Sequence, residues 1–281
     1  VFTTSKMKRA ANGADKPIVL NGEHLVLKGV KLDGVLLRDG DEYSIDEKFL
    51  TIPCPAQDEF TLEIETEIDP GANTRLEGLY KSGGNWCTQC EAEGFRTITY
   101  YPDRPDVMAT FKVRVEADKK TCPVLLSNGN LIEEGDIDEN RHFAVWHDPF
   151  PKPCYLFALV AGDLVHIEDT FKTKSGREVL LRIYVREGDQ EQCYWAMDSL
   201  KRSMKWDEDK YGREYELDRF NIVCRLLLEK KKIENTSLNI FNTTLVLAHP
   251  ETATESEFEQ VEDVIAHACF PDWTRKHVLC R

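Results

Sequence analysis

The sequence predicts an α+β protein, in which a β-rich first half is followed by a mixed half of strands and two long helices. Three observations carry this. Apolar and polar residues alternate with period two over much of the chain up to about Gly162. Apolar residues recur at steps of three and four within 190–211 and again within 254–270. Clusters of Pro, Gly, Asn and Asp separate the periodic runs.

In chain order, Leu25–Val30, Phe60–Ile68 and Phe111–Val115 read as half-buried strands. Asp69-Pro70-Gly71, Asn128-Gly129-Asn130 and Asp148-Pro149-Phe150-Pro151 read as the loops and edges between them. CYLFALVAG, residues 154–162, is the longest nearly uninterrupted apolar stretch and is expected to be a buried strand; it is less than half of what crossing a bilayer requires. A second unit is expected to begin at Leu164, with a strand over Val179–Val185 and a helix over 190–211. On that helix Tyr194, Met197, Leu200 and Met204 form one apolar face. Phe220–Leu228 reads as another strand, followed by the charged EKKKIEN and the apolar SLNIFNTTLVLA. The last helix opens at Thr254, an N-cap with Glu257 three positions on as its capping-box partner. Its stripe is Phe258, Val261, Val264, Ile265 and Ala268, with His267 beside it.

Composition narrows the functional classes. The 50 acidic residues exceed the 36 basic ones, giving a formal charge of -14. A field of that sign repels phosphate backbones and anionic lipid, so no nucleic-acid partner is expected, and no membrane-spanning segment is visible. Nine cysteines spread over the chain favour free thiols in a reducing, intracellular compartment, the cytosol or an organelle matrix such as the mitochondrion. Two Asn-x-Ser/Thr sequons, at Asn235 and Asn242, point towards the secretory route instead.

The stretches LEGLYKSGGNWCTQCEAEGFRTITYYPDRPDV (77–107), DPFPKPCYLFALVAGD (148–163), SMKWDEDKYGREYELDRFNIV (203–223), SLNIFN (237–242) and DWTRKHVLCR (272–281) carry a likeness along nearly the whole chain. By them the chain resembles the aminopeptidase N family of zinc exopeptidases, nearest to the bacterial alanyl aminopeptidases. The resemblance implies an antiparallel β-saddle domain over 1–163, followed over 164–281 by the front part of a thermolysin-like catalytic domain. It also implies that family members start with further strands and continue well past the position of Arg281.

In the family, zinc is held by His-Glu-x-x-His on one helix, where histidines four apart share a face and the Glu activates the bound water. The matching positions here read His267, Ala268, Cys269, Phe270 and Pro271. The first ligand is kept, the general base has become Ala268 and the second ligand Pro271; the third, a Glu, would lie beyond Arg281. Proline in addition tends to end or kink a helix. The family's Gly-x-Met-Glu-Asn loop corresponds to Lys231-Lys232-Ile233-Glu234-Asn235, which keeps Glu234 and Asn235 and replaces the glycine by Lys231. Gln89 and Glu91 match the residues that line the family's pocket for the substrate's first residue.

From these changes the sequence is expected to encode a catalytically inactive homologue, with no catalytic residue, no metal and no cofactor. It would then serve as a structural or interaction subunit, its partners other subunits of a complex and not a peptide substrate. Gln89, Glu91, Glu234 and Asn235 are then relic substrate-binding positions, and His267, Ala268 and Pro271 relic metal positions. The alternative is a zinc aminopeptidase with an altered site, or a binder of peptide N-termini through Gln89, Glu91 and Glu234. Two cysteine patterns stand beside these readings. Cys87-x-x-Cys90 reads as framework in preference to a redox or zinc motif, and His267, Cys269, His277 and Cys280 have ligand types for a rewired structural zinc.

Overall fold

A computed structural model of the chain describes residues 1–9, 16–53, 55, 57–225, 232–233 and 235–274, with 232–233 and 271–274 given by their backbone alone. The chain forms two compact units from discontinuous segments. The first comprises Val1–Tyr80, Thr88–Val107 and Pro153–Tyr155; the second comprises Lys81–Cys87, Met108–Lys152 and Leu156–Arg281.

The first unit is built from two small antiparallel sheets. In one, Glu59–Glu67 pairs with Phe2–Lys8 and with Val26–Leu32, which turns into Val35–Leu36. In the other, Phe49–Ile52 lies between Ile18–Asn21 and Ser44–Ile45. Alternation sends Leu20, Val30, Leu50, Ile52, Leu62 and Ile64 inwards, where they pack with Tyr100. The expected strands 25–30 and 60–68 are therefore present with shifted ends. The expected turn at Asp69 is also formed, its Oδ1 accepting from the amides of Gly71 and Ala72 at 3.0 and 3.1 Å.

In the second unit Arg141–Lys152 is a long strand flanked by Ala109–Asp118 and Asn130–Asp136. It extends through Asp148-Pro149-Phe150-Pro151, where the sequence predicted a loop. The ladder is irregular across it, with a register shift between the pairs Phe111–Asp148 and Ala109–Lys152, and a buried ion pair ties its two ends: Asp148 is fully buried and its Oδ2 accepts from Lys152 Nζ at 2.7 Å. Gly129, with φ +89°, makes the expected turn before Asn130–Asp136; a Cβ there would sit 2.1 Å from the carbonyl oxygen of His147. CYLFALVAG divides into a single 3₁₀ turn, Cys154–Leu156, and a strand, Leu159–Gly162, which pairs with Val124–Ser127.

A five-stranded sheet completes this unit, in the order Val165–Lys172, Glu178–Val185, Arg219–Arg225, Leu238–Asn242 and Lys232–Ile233. Helix α1, Tyr194–Tyr211, and helix α2, Glu255–Thr274, cover one of its faces. Met197, Leu200 and Met204 are buried as the period requires, but Tyr194 is 61% exposed. It is the first residue of α1. Gly212, at φ +69°, ends α1, its amide bonded to the Glu208 carbonyl. The capping box at the head of α2 is formed: Glu257 Oε2 accepts from Thr254 N at 2.7 Å, and Glu257 N donates to Thr254 Oγ1 at 3.3 Å. Val261, Ile265 and Ala268 are buried, with Phe258 and Val264 at the margin. The helix continues through Pro271 to Thr274, so the proline does not end it. Among the described residues no helix is long and apolar enough to cross a membrane.

Candidate active site

The first unit holds Gln89 and Glu91 on a tight reversal. The strand Asn85–Gln89 ends at Gln89, and the chain turns through residues 90–94 into the 3₁₀ turn Phe95–Thr97. Gly94 N donates to Cys90 O at 2.8 Å, drawing the backbone so close that a Cβ on Gly94 would lie 2.3 Å from Gln89 O. Only glycine fits there. Gln89 is 4% exposed. Its Nε2 donates to the Glu91 carbonyl at 2.8 Å, and its Oε1 is buried with no hydrogen-bond partner among the described residues. The Glu91 side chain is exposed. A neutral amide locked on the backbone thus stands beside a carboxylate open to solvent, donor sites being absent from the latter when ionised.

The segment after the reversal is braced from below. Arg96 Nε meets Asp103 Oδ2 at 2.9 Å, and its Nη1 lies 3.2 Å from Glu93 and 3.7 Å from Glu23. The other Asp103 oxygen accepts from the Cys154 thiol at 2.9 Å. Burial, and then the Asp103 charge, push the Cys154 and Cys90 thiols well above the usual range, so both stay protonated. Cys87 and Cys90 are fully enclosed, which removes the exposure a redox pair needs.

The second unit holds Asn235, His267 and Ala268. Asn235 is 3% exposed, and its amide donates to Asn239 Oδ1 at 3.1 Å; the Nδ2 atoms of both are buried without a partner among the described residues. Asn239 was not singled out in the sequence, though its place four residues after Asn235 in SLNIFN was a usable signal. Glu234 and Lys231 lie outside the described residues, as do His277 and Cys280. On α2, His267 is exposed, whereas Ala268 is 1% exposed and packs in the core. Cys269 is also buried, its thiol donating to Asp207 Oδ2 at 3.3 Å. The cavity of ≈ 460 Å³ between α1 and α2 is lined by Trp206, Asp207, Tyr211 and Phe270 among others, and not by His267.

The zinc that the resemblance implies does not fit these donors. Ala268 carries a methyl group turned into the core, proline has no side-chain donor, and His267 is a single imidazole. Among the described residues no three His, Cys, Asp or Glu side chains are grouped to hold a metal.

The chain matches the Peptidase M1 N-terminal domain over residues 2–156 and the Peptidase family M1 domain over 195–281. It is 55% identical to aminopeptidase N of Caulobacter vibrioides over 97% of its length and 50% identical to aminopeptidase N of Escherichia coli over 99%. These alignments span 31% and 32% of the two relatives, so the chain covers about a third of their length. A crystal structure of Legionella pneumophila aminopeptidase A in complex with aspartic acid superposes with a TM-score of 0.90 at 36% identity, over 97% of this chain and 32% of that one.

These findings correct the sequence-based expectation of an inactive structural subunit that is not an enzyme. That expectation weighed a few motif positions, whereas the alignments at 47% to 55% identity cover 97% to 100% of the chain and the relatives are aminopeptidases N. The pseudoenzyme reading falls with it, and nothing in these likenesses supports the expected complex-subunit partners. What stands is the antiparallel β-rich N-terminal domain, the start of a catalytic domain, and the family itself: the chain belongs to peptidase family M1.

Proposed function

We propose that the chain is the amino-terminal part of an aminopeptidase with an altered metal motif, and that it contributes recognition of a peptide's free amino end. The observation that carries this is the reversal at Gln89 and Glu91. An ammonium group is a compact donor-only cation, and it needs a carboxylate and neutral acceptors at fixed positions. Glu91 offers the charge on an exposed side chain, and Gln89, its Nε2 bonded to the Glu91 carbonyl at 2.8 Å, fixes the reversal that presents it. Relatives 47% to 55% identical that are aminopeptidases N support the same reading. Peptide is therefore the proposed substrate class.

The test is turnover of an alanyl chromogenic substrate by the full-length protein and by its Glu91→Gln variant. The variant keeps the shape and loses the charge. A charge-assisted contact of this kind is worth roughly 1.5–3 kcal/mol, so kcat/KM is expected to fall by about 10- to 150-fold, mainly through KM. An unchanged kcat/KM would remove Glu91 from the site.

We also propose an intracellular, reducing compartment. The seven cysteines among the described residues are all unbridged and buried, which supports it.

A further inference from the structure

The groove between α1 and α2 joins an aromatic wall to a buried carboxylate. Trp206 and Tyr211 on α1 and Phe270 on α2 line its cavity of ≈ 460 Å³, and all three rings are between 39% and 55% exposed. They form a continuous wall: Trp206 meets Tyr211 edge-on with ring centroids 5.7 Å apart, and Tyr211 meets Phe270 at 5.6 Å. A contiguous exposed patch of large rings marks a place where something is bound.

Asp207 lines the same cavity and is itself 5% exposed. Its Oδ2 accepts from the Cys269 thiol, a weak donor, and it makes no other hydrogen bond and no ion pair among the described residues. Burial raises its pKa, opposed by that thiol and by no neighbouring cation. Arg202 lines the groove too, but its charge is engaged by others. Its Nε lies 2.7 Å from Asp198 Oδ2 and its Nη2 3.1 Å from Glu262 Oε2, with Nη1 bonded to the other Glu262 oxygen. Glu262 is thereby balanced, and Asp207 is left without a counter-charge.

The guest's chemistry follows from both features. Positive charge satisfies Asp207 and is attracted by the faces of the three rings. The ionised carboxylate is acceptor-only, so the guest must donate N–H bonds, which excludes a quaternary ammonium. A primary ammonium is a compact, strongly hydrated charge, whereas a guanidinium is planar, weakly hydrated and stacks on aromatic faces. The protein already makes such a contact on α1: the Arg202 guanidinium lies 5.1 Å from the centre of the Trp195 ring while paired with two carboxylates. We propose that the groove binds the guanidinium of an arginine side chain presented by a peptide, stacked on the Trp206–Tyr211–Phe270 wall with its N–H groups on Asp207. The cavity has the volume of a small-ligand pocket. This site holds its guest by a side chain and not by the amino end, so it is separate from the anchor at Gln89 and Glu91.

Isothermal titration of the full-length protein with Nα-acetyl-arginine amide tests this, because the blocked amino end removes the group that the Gln89–Glu91 anchor would recognise. Nα-acetyl-citrulline amide, a neutral near-isostere, and Nα-acetyl-lysine amide are titrated alongside at constant ionic strength and pH 7. The expected result is one saturable site for the arginine probe, with the citrulline probe at least tenfold weaker and the lysine probe several-fold weaker. Asp207→Asn keeps the shape, removes the charge and should weaken arginine binding at least tenfold. Trp206 is exposed, so Trp206→Leu guards against misfolding; it should weaken arginine binding at least fivefold. Absence of saturable arginine binding, citrulline or lysine binding as tight as arginine, or unchanged arginine affinity in both variants would overturn the proposal.

Discussion

Replacing Gly94 by alanine perturbs the amino-end anchor without touching either of its side chains. Gly94 has φ -83° and ψ -19°, which alanine adopts without strain, so the perturbation is steric alone. The added Cβ would meet Gln89 O at 2.3 Å, Gly78 N at 3.0 Å and Cys90 Cα at 3.1 Å, all backbone atoms that cannot swing aside. Ordinary contact begins at 3.4 Å, so the Gln89 carbonyl or the turn must retreat by about 1 Å. Overpacking of this kind costs about 1–3 kcal/mol of stability. A displacement of about 1 Å at a positioning group costs about 100-fold in rate, close to 2.7 kcal/mol. The assay pairs a thermal melt of full-length Gly94→Ala with its kcat/KM on an alanyl substrate, and both should fall. A lowered melting point with unchanged kcat/KM would show that the turn relaxes away from Gln89, and would refute the claim that Gly94 holds the anchor in place.

Two further outcomes are expected elsewhere. Thr254→Ala removes the N-cap of α2 and should cost about 1 kcal/mol in unfolding free energy measured by denaturant titration, with no direct effect on substrate affinity. Asp207 is 5% exposed, and burial raises its pKa above 3.8 despite the Cys269 thiol that it accepts from. The folded state therefore keeps a proton that the unfolded chain gives up first, and stability falls as pH rises from about 3.8 through the folded pKa. Asp207→Asn should flatten that loss, so that the variant's melting point gains on the native one between acid and neutral pH; parallel melting curves across pH would contradict it.

Much of the fold was legible because local signals and tertiary packing agree. Thr254 and Glu257 announce a helix start that depends only on atoms within one turn, and it formed as read. Met197, Leu200 and Met204 follow a period that the core enforces. The failures have a common origin in contacts made at a distance. Asp148-Pro149-Phe150-Pro151 reads as a loop or edge because prolines break ladders, and the ladder is indeed irregular there, yet Asp148 and Lys152 at its two ends keep partners on one neighbouring strand and form a buried ion pair. Pro271 reads as a stop, yet α2 runs past it.

The candidate site was legible in its residue types and not in its meaning. Gln89 and Glu91 were named from the sequence, but Gly94, which sets the reversal, was not, because a close backbone approach leaves no trace in periodicity. The changes at Ala268 and Pro271 were read as loss of function, although identity with aminopeptidases extends over the remaining chain.

The central claim is that the protein recognises a free peptide amino end and belongs to a working aminopeptidase. The most direct measurement is hydrolysis by the full-length protein of an alanyl substrate compared with its N-acetylated twin, which differs only in lacking the ammonium charge. The account predicts turnover of the free amine, with the acetylated substrate slower by about 10- to 150-fold, in line with roughly 1.5–3 kcal/mol for a hydrogen bond to a charged group. No turnover of the free amine, or equal turnover of both, would contradict it.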